Sequence, residues 1–156
     1  MSRGPRLGVD VGKARIGVAK SDPDGLLATP LETVARDLEN ETHLQRLREI
    51  VAEVEPLRVY VGYPLNMRGE HTPSTEDAIA VATALAETID VPVRLIDERL
   101  TTVSATRQFQ AAGRKASRSR DVIDQAAAVV LLQDAIDRER GGALPGKDLP
   151  TNSPVA

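Results

Sequence analysis

The segment Arg6 to Lys20, R-L-G-V-D-V-G-K-A-R-I-G-V-A-K, decides how the rest of the chain is read. Two short runs of β-type residues, Arg6 to Gly12 and Ile16 to Lys20, are separated by Lys13, Ala14 and Arg15, which predicts a hairpin. Alternation along the first run puts Leu7, Val9 and Val11 on one face and Gly8, Asp10 and Gly12 on the other. Asp10 then stands on a face with no side chain on either flank, where a bulky polar group can approach its carboxylate. The competing reading is a structural aspartate hydrogen-bonded inside a twisted hairpin.

Outward from the hairpin, Leu31 to Val34 reads as a third strand. Thr42 to Glu55 places Leu44, Leu47, Ile50, Val51 and Val54 at helical spacing, and Pro56 ends the run. Val59 to Gly62 is the fourth strand, followed by the loop Tyr63 to Glu70. A second helix begins near Thr72, with Pro73 suited to its first turn and Glu76 and Asp77 favourable near its positive end. Its apolar side runs through Ile79, Ala82, Leu85, Ala86 and Ile89. Val91 to Ile96 forms the fifth strand, Thr101 to Gln110 a third helix stopped at Gly113, and Arg120 to Arg138 the last helix, with Ile123, Ala127, Val130 and Leu131 on one face. Residues 1–140 are expected to form one domain, and 141–156 have the composition of a disordered tail.

The order β-β-β-α-β-α-β-α joins an antiparallel half to parallel strands connected by crossovers. It predicts an α/β fold of ribonuclease H-like architecture: a mixed five-stranded sheet with helices on both faces. The 156 residues suffice for one sizeable core, and 41% hydrophobic with 28% charged residues describes an ordinary globular chain. No apolar run approaches the ~20 residues of a membrane span, and the first residues lack the apolar segment of a secretory signal. A cytoplasmic location without membrane association is therefore expected. Absence of cysteine excludes disulfides, thiolate zinc sites and cysteine nucleophiles. The two histidines, His43 and His71, lie in different segments, so any metal is expected to be oxygen-bound, as Mg²⁺ or Mn²⁺ is.

Further carboxylates fall where they can join Asp10. Asp97 and Glu98 end the fifth strand, the end at which catalytic groups of α/β sheets collect. Neighbours on a strand point to opposite faces, so one of the pair joins Asp10 and the other pairs with Arg99 or caps the next helix. Asp121 and Asp124 lie three residues apart on one face of the last helix. Asp121 also reads as a favourable first-turn charge. Asp124 sits deeper, and the small residues Ala126 to Ala128 after it let the helix pack close to the sheet. Carboxylates converging in this way repel one another unless a cation lies among them. A divalent-metal site removes that cost and is suited to phosphodiester cleavage.

Four motifs taken together resemble the YqgF/RuvX family: Val9 to Gly12 with Arg15 to Ala19; Val61 to Gly69; Asp97 to Thr102; and Ile123 to Ala128. The resemblance runs over residues 6–138. Members are described as pre-16S rRNA nucleases and Holliday-junction resolvase-like proteins. The resemblance implies a ribonuclease H-like fold and a metal-dependent endonuclease with catalytic acids at Asp10, Glu98 and Asp124. Asp97 and Arg99 then support the turn after the fifth strand, and Asp121 is a fourth candidate ligand. Tyr63 departs from the leucine the family often carries there.

A nuclease must also hold a polyanion, although the net charge is −3. Arg114, Lys115, Arg118 and Arg120 precede the acidic helix and Lys13 and Arg15 lie in the first turn, all placed for phosphate contacts. The same charges also suit a solvated loop. Two tyrosines and one phenylalanine leave little for base stacking, which favours recognition of structured nucleic acid by backbone and shape. Asn66, Arg68 and His71 are either substrate contacts or ordinary turn residues. The expected substrate is structured RNA, foremost pre-16S rRNA, with branched DNA as the alternative, acted on by a monomer or weak homodimer. A non-catalytic ribosome-assembly factor is the competing class. An actin-like sugar kinase also fits the first hairpin but needs a second domain for which the chain has no length.

Overall fold

A computed structural model describes residues 3–100 and 120–149, and within it the side chains of 120–124 are left undescribed. The strands are β1 Arg6–Val11, β2 Arg15–Ser21, β3 Ala28–Ala35, β4 Arg58–Tyr63, β5 Val93–Asp97 and β6 Lys147–Leu149. The helices are α1 Thr42–Val54, α2 Pro73–Ala86 and α3 Arg120–Arg140, with a 3-10 turn at Glu98–Leu100. The helix expected at Thr101 to Gln110, with its stop at Gly113, lies outside the described residues. No helix among them is long and apolar enough to cross a membrane.

One sheet has the order β3-β2-β1-β4-β5-β6. β1 pairs antiparallel with β2 and parallel with β4, β4 runs parallel to β5, and β6 returns antiparallel to β5. β3 begins earlier than Leu31. Pro30 is tolerated within it because β3 lies at the sheet edge and the β2–β3 register shifts there, between Val18 and Ala19.

Period-2 alternation separates two cores. Leu7, Val9, Ile16, Val18, Val59 and Val61 pack with Leu47 and Ile50 of α1 and with Val81 and Leu85 of α2. On the opposite face Ala19, Tyr60 and Ile96 pack with Ala127, Ala128, Leu131, Leu132, Ala135 and Ile136 of α3. Helices thus cover both faces, as the order of elements predicts. α2 starts as its sequence dictates: the Thr72 hydroxyl accepts from the Thr75 N–H, the Thr75 side chain returns a bond, and Pro73 opens the first turn. α1 stops at Glu55, whose φ of 52° is left-handed, directly before Pro56.

Among the described residues the sheet has six strands rather than five, and the sixth comes from the segment expected to be a disordered tail. Its composition is that of a loop, but β5 supplies an anchor. The nearly buried Arg94 donates to the carbonyls of Leu144 at 3.2 Å, Pro145 at 2.6 Å and Gly146 at 2.6 Å, and to Asp148 Oδ1 at 2.6 Å. Gly146 has a φ of 83°, and a Cβ there would lie 2.4 Å from the Leu95 carbonyl oxygen.

α3 runs antiparallel to β1. Near its end the Glu139 carboxylate accepts from Arg6 Nε at 3.0 Å, meets Arg58 Nη1 at 2.8 Å and accepts from the Tyr60 hydroxyl. Farther back, a Cβ on Gly8 would stand 2.8 Å from Leu132 Cβ and 3.1 Å from the Ala128 carbonyl oxygen. The bare face of β1 is therefore where α3 lies against the sheet. Gly8→Ala is expected to cost about 1–3 kcal/mol through this overpacking, read as a lower urea midpoint at unchanged m value.

Candidate active site

The ends of three adjacent strands bring two carboxylates to one place. Asp10 on β1 is level with Gly62 on β4, and Gly62 is level with Ile96 on β5. Two residues beyond Ile96, Glu98 opens the 3-10 turn and returns to the same face. Its side chain lies over Gly62: a Cβ there would meet Glu98 Cγ at 3.1 Å, Glu98 Oε1 at 3.2 Å and Leu131 Cδ1 at 3.3 Å. Asp10 and Glu98 are 1% and 3% exposed, so two acids flank one glycine away from bulk water.

Asp97 points elsewhere. Its carboxylate accepts from the Arg99 backbone N–H at 2.9 Å and from Arg99 Nη2 at 2.7 Å. These hydrogen bonds hold the Asp97 carboxyl below the usual aspartate range against the opposing effect of burial. The Asp97–Arg99 pair therefore closes the turn that presents Glu98. The adjacent loop sits on it: Gly69 has a φ of 77°, and a Cβ there would come within 2.9 Å of Arg99 Nη1.

The loop after β4 is built by Asn66, whose Oδ1 accepts from the N–H groups of Arg68 and Glu70, each at 2.9 Å. Asn66 is thus a turn residue, Arg68 is exposed at the turn, and His71 Nδ1 lies 2.5 Å from Glu76 Oε1. Lys13 is exposed and Arg15 half-buried at the β1–β2 turn, which closes through the Gly12 N–H to the Arg15 carbonyl at 2.9 Å. Tyr60 is fully buried under α3 and offers no surface for base stacking.

The remaining expected site residues are not brought to the site by anything described. Arg114, Lys115 and Arg118 lie outside the described residues, as do the side chains of Arg120, Asp121 and Asp124. The backbone of α3 nevertheless gives a level for residue 124. A two-residue step along a strand advances about 6.6 Å, which roughly four to five helical residues cover at about 1.5 Å each. From Ala128 and Leu132 at Gly8, that step along the antiparallel helix reaches residues 124–128 at the level of Asp10.

Among the described residues no three histidine, cysteine or acidic side chains form a metal-holding group. The donor set that is present, two buried carboxylates beside a glycine whose missing Cβ leaves room for the Glu98 side chain, fits a hard divalent cation. Gly62 was missed from sequence because its role rests on the β1–β4–β5 register; the glycine ending an apolar strand run was the available signal.

Comparison with known proteins agrees with the architecture. The RuvX family profile, described as "Holliday junction resolvase", matches residues 4–138. A Clavibacter sepedonicus protein named "Putative pre-16S rRNA nuclease" is 49% identical over 153 residues, 97% of this chain and 95% of its own length. A Mycobacterium leprae (strain Br4923) protein of the same name is 54% identical over 155 residues, 99% and 84% of the two lengths. Among solved structures, Thermus thermophilus RuvC in complex with a Holliday junction substrate aligns with a TM-score of 0.58 at 20% identity, covering 94% of this chain and 99% of that one. That likeness concerns the fold, and with the profile match over nearly the whole described core it leads to one conclusion: the chain belongs to the RuvX family.

Proposed function

We propose that the protein is a divalent-metal-dependent endonuclease that hydrolyses phosphodiester bonds of structured nucleic acid, foremost in maturation of the 5′ end of pre-16S rRNA. Residues 1–140 form the bulk of its catalytic domain, to whose sheet Lys147–Leu149 adds the strand beside β5. The observation that carries this reading is the burial of Asp10 and Glu98 on either side of Gly62, at the carboxyl ends of adjacent parallel strands. The names of the relatives support the RNA substrate. The family description, "Holliday junction resolvase", favours a second reading, cleavage of branched DNA.

Asp10 and Glu98 would hold the metal, with Asp124 completing the set and Asp121 as a further candidate. Mg²⁺ or Mn²⁺ bound there supplies positive charge to the reacting phosphate and lowers the pKa of water. Burial of the two carboxylates removes competing water and strengthens their pull on a cation. The Asp97–Arg99 pair keeps the Glu98 turn in one shape. Lys13 and Arg15 at the hairpin turn, together with Arg114, Lys115, Arg118 and Arg120, hold the flanking phosphates, and hydrolysis leaves a 5′-phosphate and a 3′-hydroxyl. The enzyme works in the cytoplasm as a monomer or weak homodimer.

The test is cleavage of a 16S rRNA precursor and a synthetic four-way DNA junction, side by side, with Mg²⁺ or Mn²⁺. Asp10→Asn and Glu98→Gln are expected to lose more than the roughly 100-fold that removal of an outer partner of a metal ligand costs. Cutting of the RNA alone supports rRNA maturation and cutting of the junction alone supports the resolvase. Metal-independent cutting, or binding without cutting, overturns the nuclease reading. Gly62→Ala pushes Glu98 aside and is expected to lower turnover roughly 10- to 100-fold, with a chelator-sensitive remainder and near-native urea unfolding.

A further inference from the structure

The hairpin that carries Asp10 is gripped from outside by Arg36, the residue directly after β3. Its backbone N–H donates to the Ala14 carbonyl at 2.9 Å, and its Nη1 donates to the Gly12 carbonyl at 3.0 Å. The same guanidinium forks onto Asp77 of α2, with Nη1 to Oδ2 at 2.7 Å and Nη2 to Oδ1 at 3.0 Å. The Arg36 side chain is only 5% exposed. One residue thus ties both ends of the β1–β2 turn to a helix packed on the sheet face opposite α3.

The turn closes on itself through one backbone bond, from the Gly12 N–H to the Arg15 carbonyl at 2.9 Å. A Cβ on Gly12 would lie 2.6 Å from the Arg15 carbonyl oxygen, so no side chain can stand at that position. Asp10 is two residues upstream on the same hairpin, level with Gly17 on one side and Gly62 on the other, so the turn fixes the end of the segment that carries its carboxylate. A lysine cannot substitute for the fork, since an ammonium lacks the planar, bidentate geometry that fixes a carboxylate and leaves a donor for a carbonyl.

We infer that Arg36 is a positioning residue for the Asp10 carboxylate, acting through the Gly12 carbonyl with Asp77 as the counter-charge that orients its guanidinium. The inference rests on the reading of Asp10 as a metal-holding acid. Ligand groups must be held within about 0.5 Å of their working geometry, and the grip on the turn is a means of doing so. The hydrogen bonds from Arg36 keep the Asp77 carboxyl below its ordinary range.

The test uses Arg36→Met/Asp77→Leu, which removes both charges together and strands neither, beside Arg36→Lys, wild type and Asp10→Asn. Amide hydrogen exchange at Gly12, Mn²⁺ affinity by calorimetry and urea unfolding are measured on each. The double variant is expected to keep the α3 amides protected, to exchange at Gly12 at least roughly tenfold faster, and to bind Mn²⁺ roughly 10- to 100-fold more weakly. Arg36→Lys should fall between it and wild type. Wild-type Gly12 exchange or wild-type Mn²⁺ affinity in either folded variant overturns the inference. Equal Mn²⁺ affinity in wild type and Asp10→Asn overturns it by a different route, since that result removes the metal reading itself and is visible before any Arg36 variant is made.

Discussion

Helix α3 can lie against the sheet as closely as it does because β1 has no side chain at Gly8. The distance between a helix and a sheet is set by the bulkiest residue in the contact, and at this crossing the helix backbone at Ala128 and the Cβ of Leu132 occupy the space a side chain would need. Much follows from that approach. Small residues on α3 become necessary, which explains the buried Ala127 and Ala128. The helix lies across the end of the sheet that carries Asp10, and Leu131 comes near enough to limit the space around Gly62 and Glu98.

The buried charges fall into two kinds. Glu139 is surrounded by donors from Arg6, Arg58 and Tyr60, and Arg94 is matched by carbonyls and Asp148. In both, opposite charge or hydrogen-bond polarity compensates for lost water, so these groups serve the architecture. Asp10 and Glu98 are of like sign and flank the same glycine, an arrangement whose repulsion is relieved by a cation. Under the proposed function these two acids are the ones a divalent cation would join.

Much of this was legible from local pattern. The first hairpin, the alternation that exposes Asp10 to the α3 face, and the separation of Asp97 from Glu98 all depend on a two-residue period within one segment. The start of α2 was legible because Thr72 and Pro73 carry their own capping chemistry. What escaped depends on partners far away in sequence. Gly62 matters through the register of three strands, Arg36 through a carbonyl 24 residues earlier and a carboxylate 41 residues later, and Lys147–Leu149 through an arginine more than 50 residues upstream. Asn66 was legible as either a contact or a turn residue, and its turn role is seen only in the bonds it accepts from Arg68 and Glu70.

The return of β6 to β5 also bears on how the chain is made. Synthesis delivers β1 to β5 and every described helix before it delivers Lys147, so a nascent chain ending at Arg140 has the residues of both cores but leaves β5, like β3, as a bare edge of the described sheet. Such a flank is a template for pairing with a neighbouring chain. Arg94, in β5 with its donors aimed at the carbonyls of Leu144, Pro145 and Gly146, gives a short later segment the means to cover that flank.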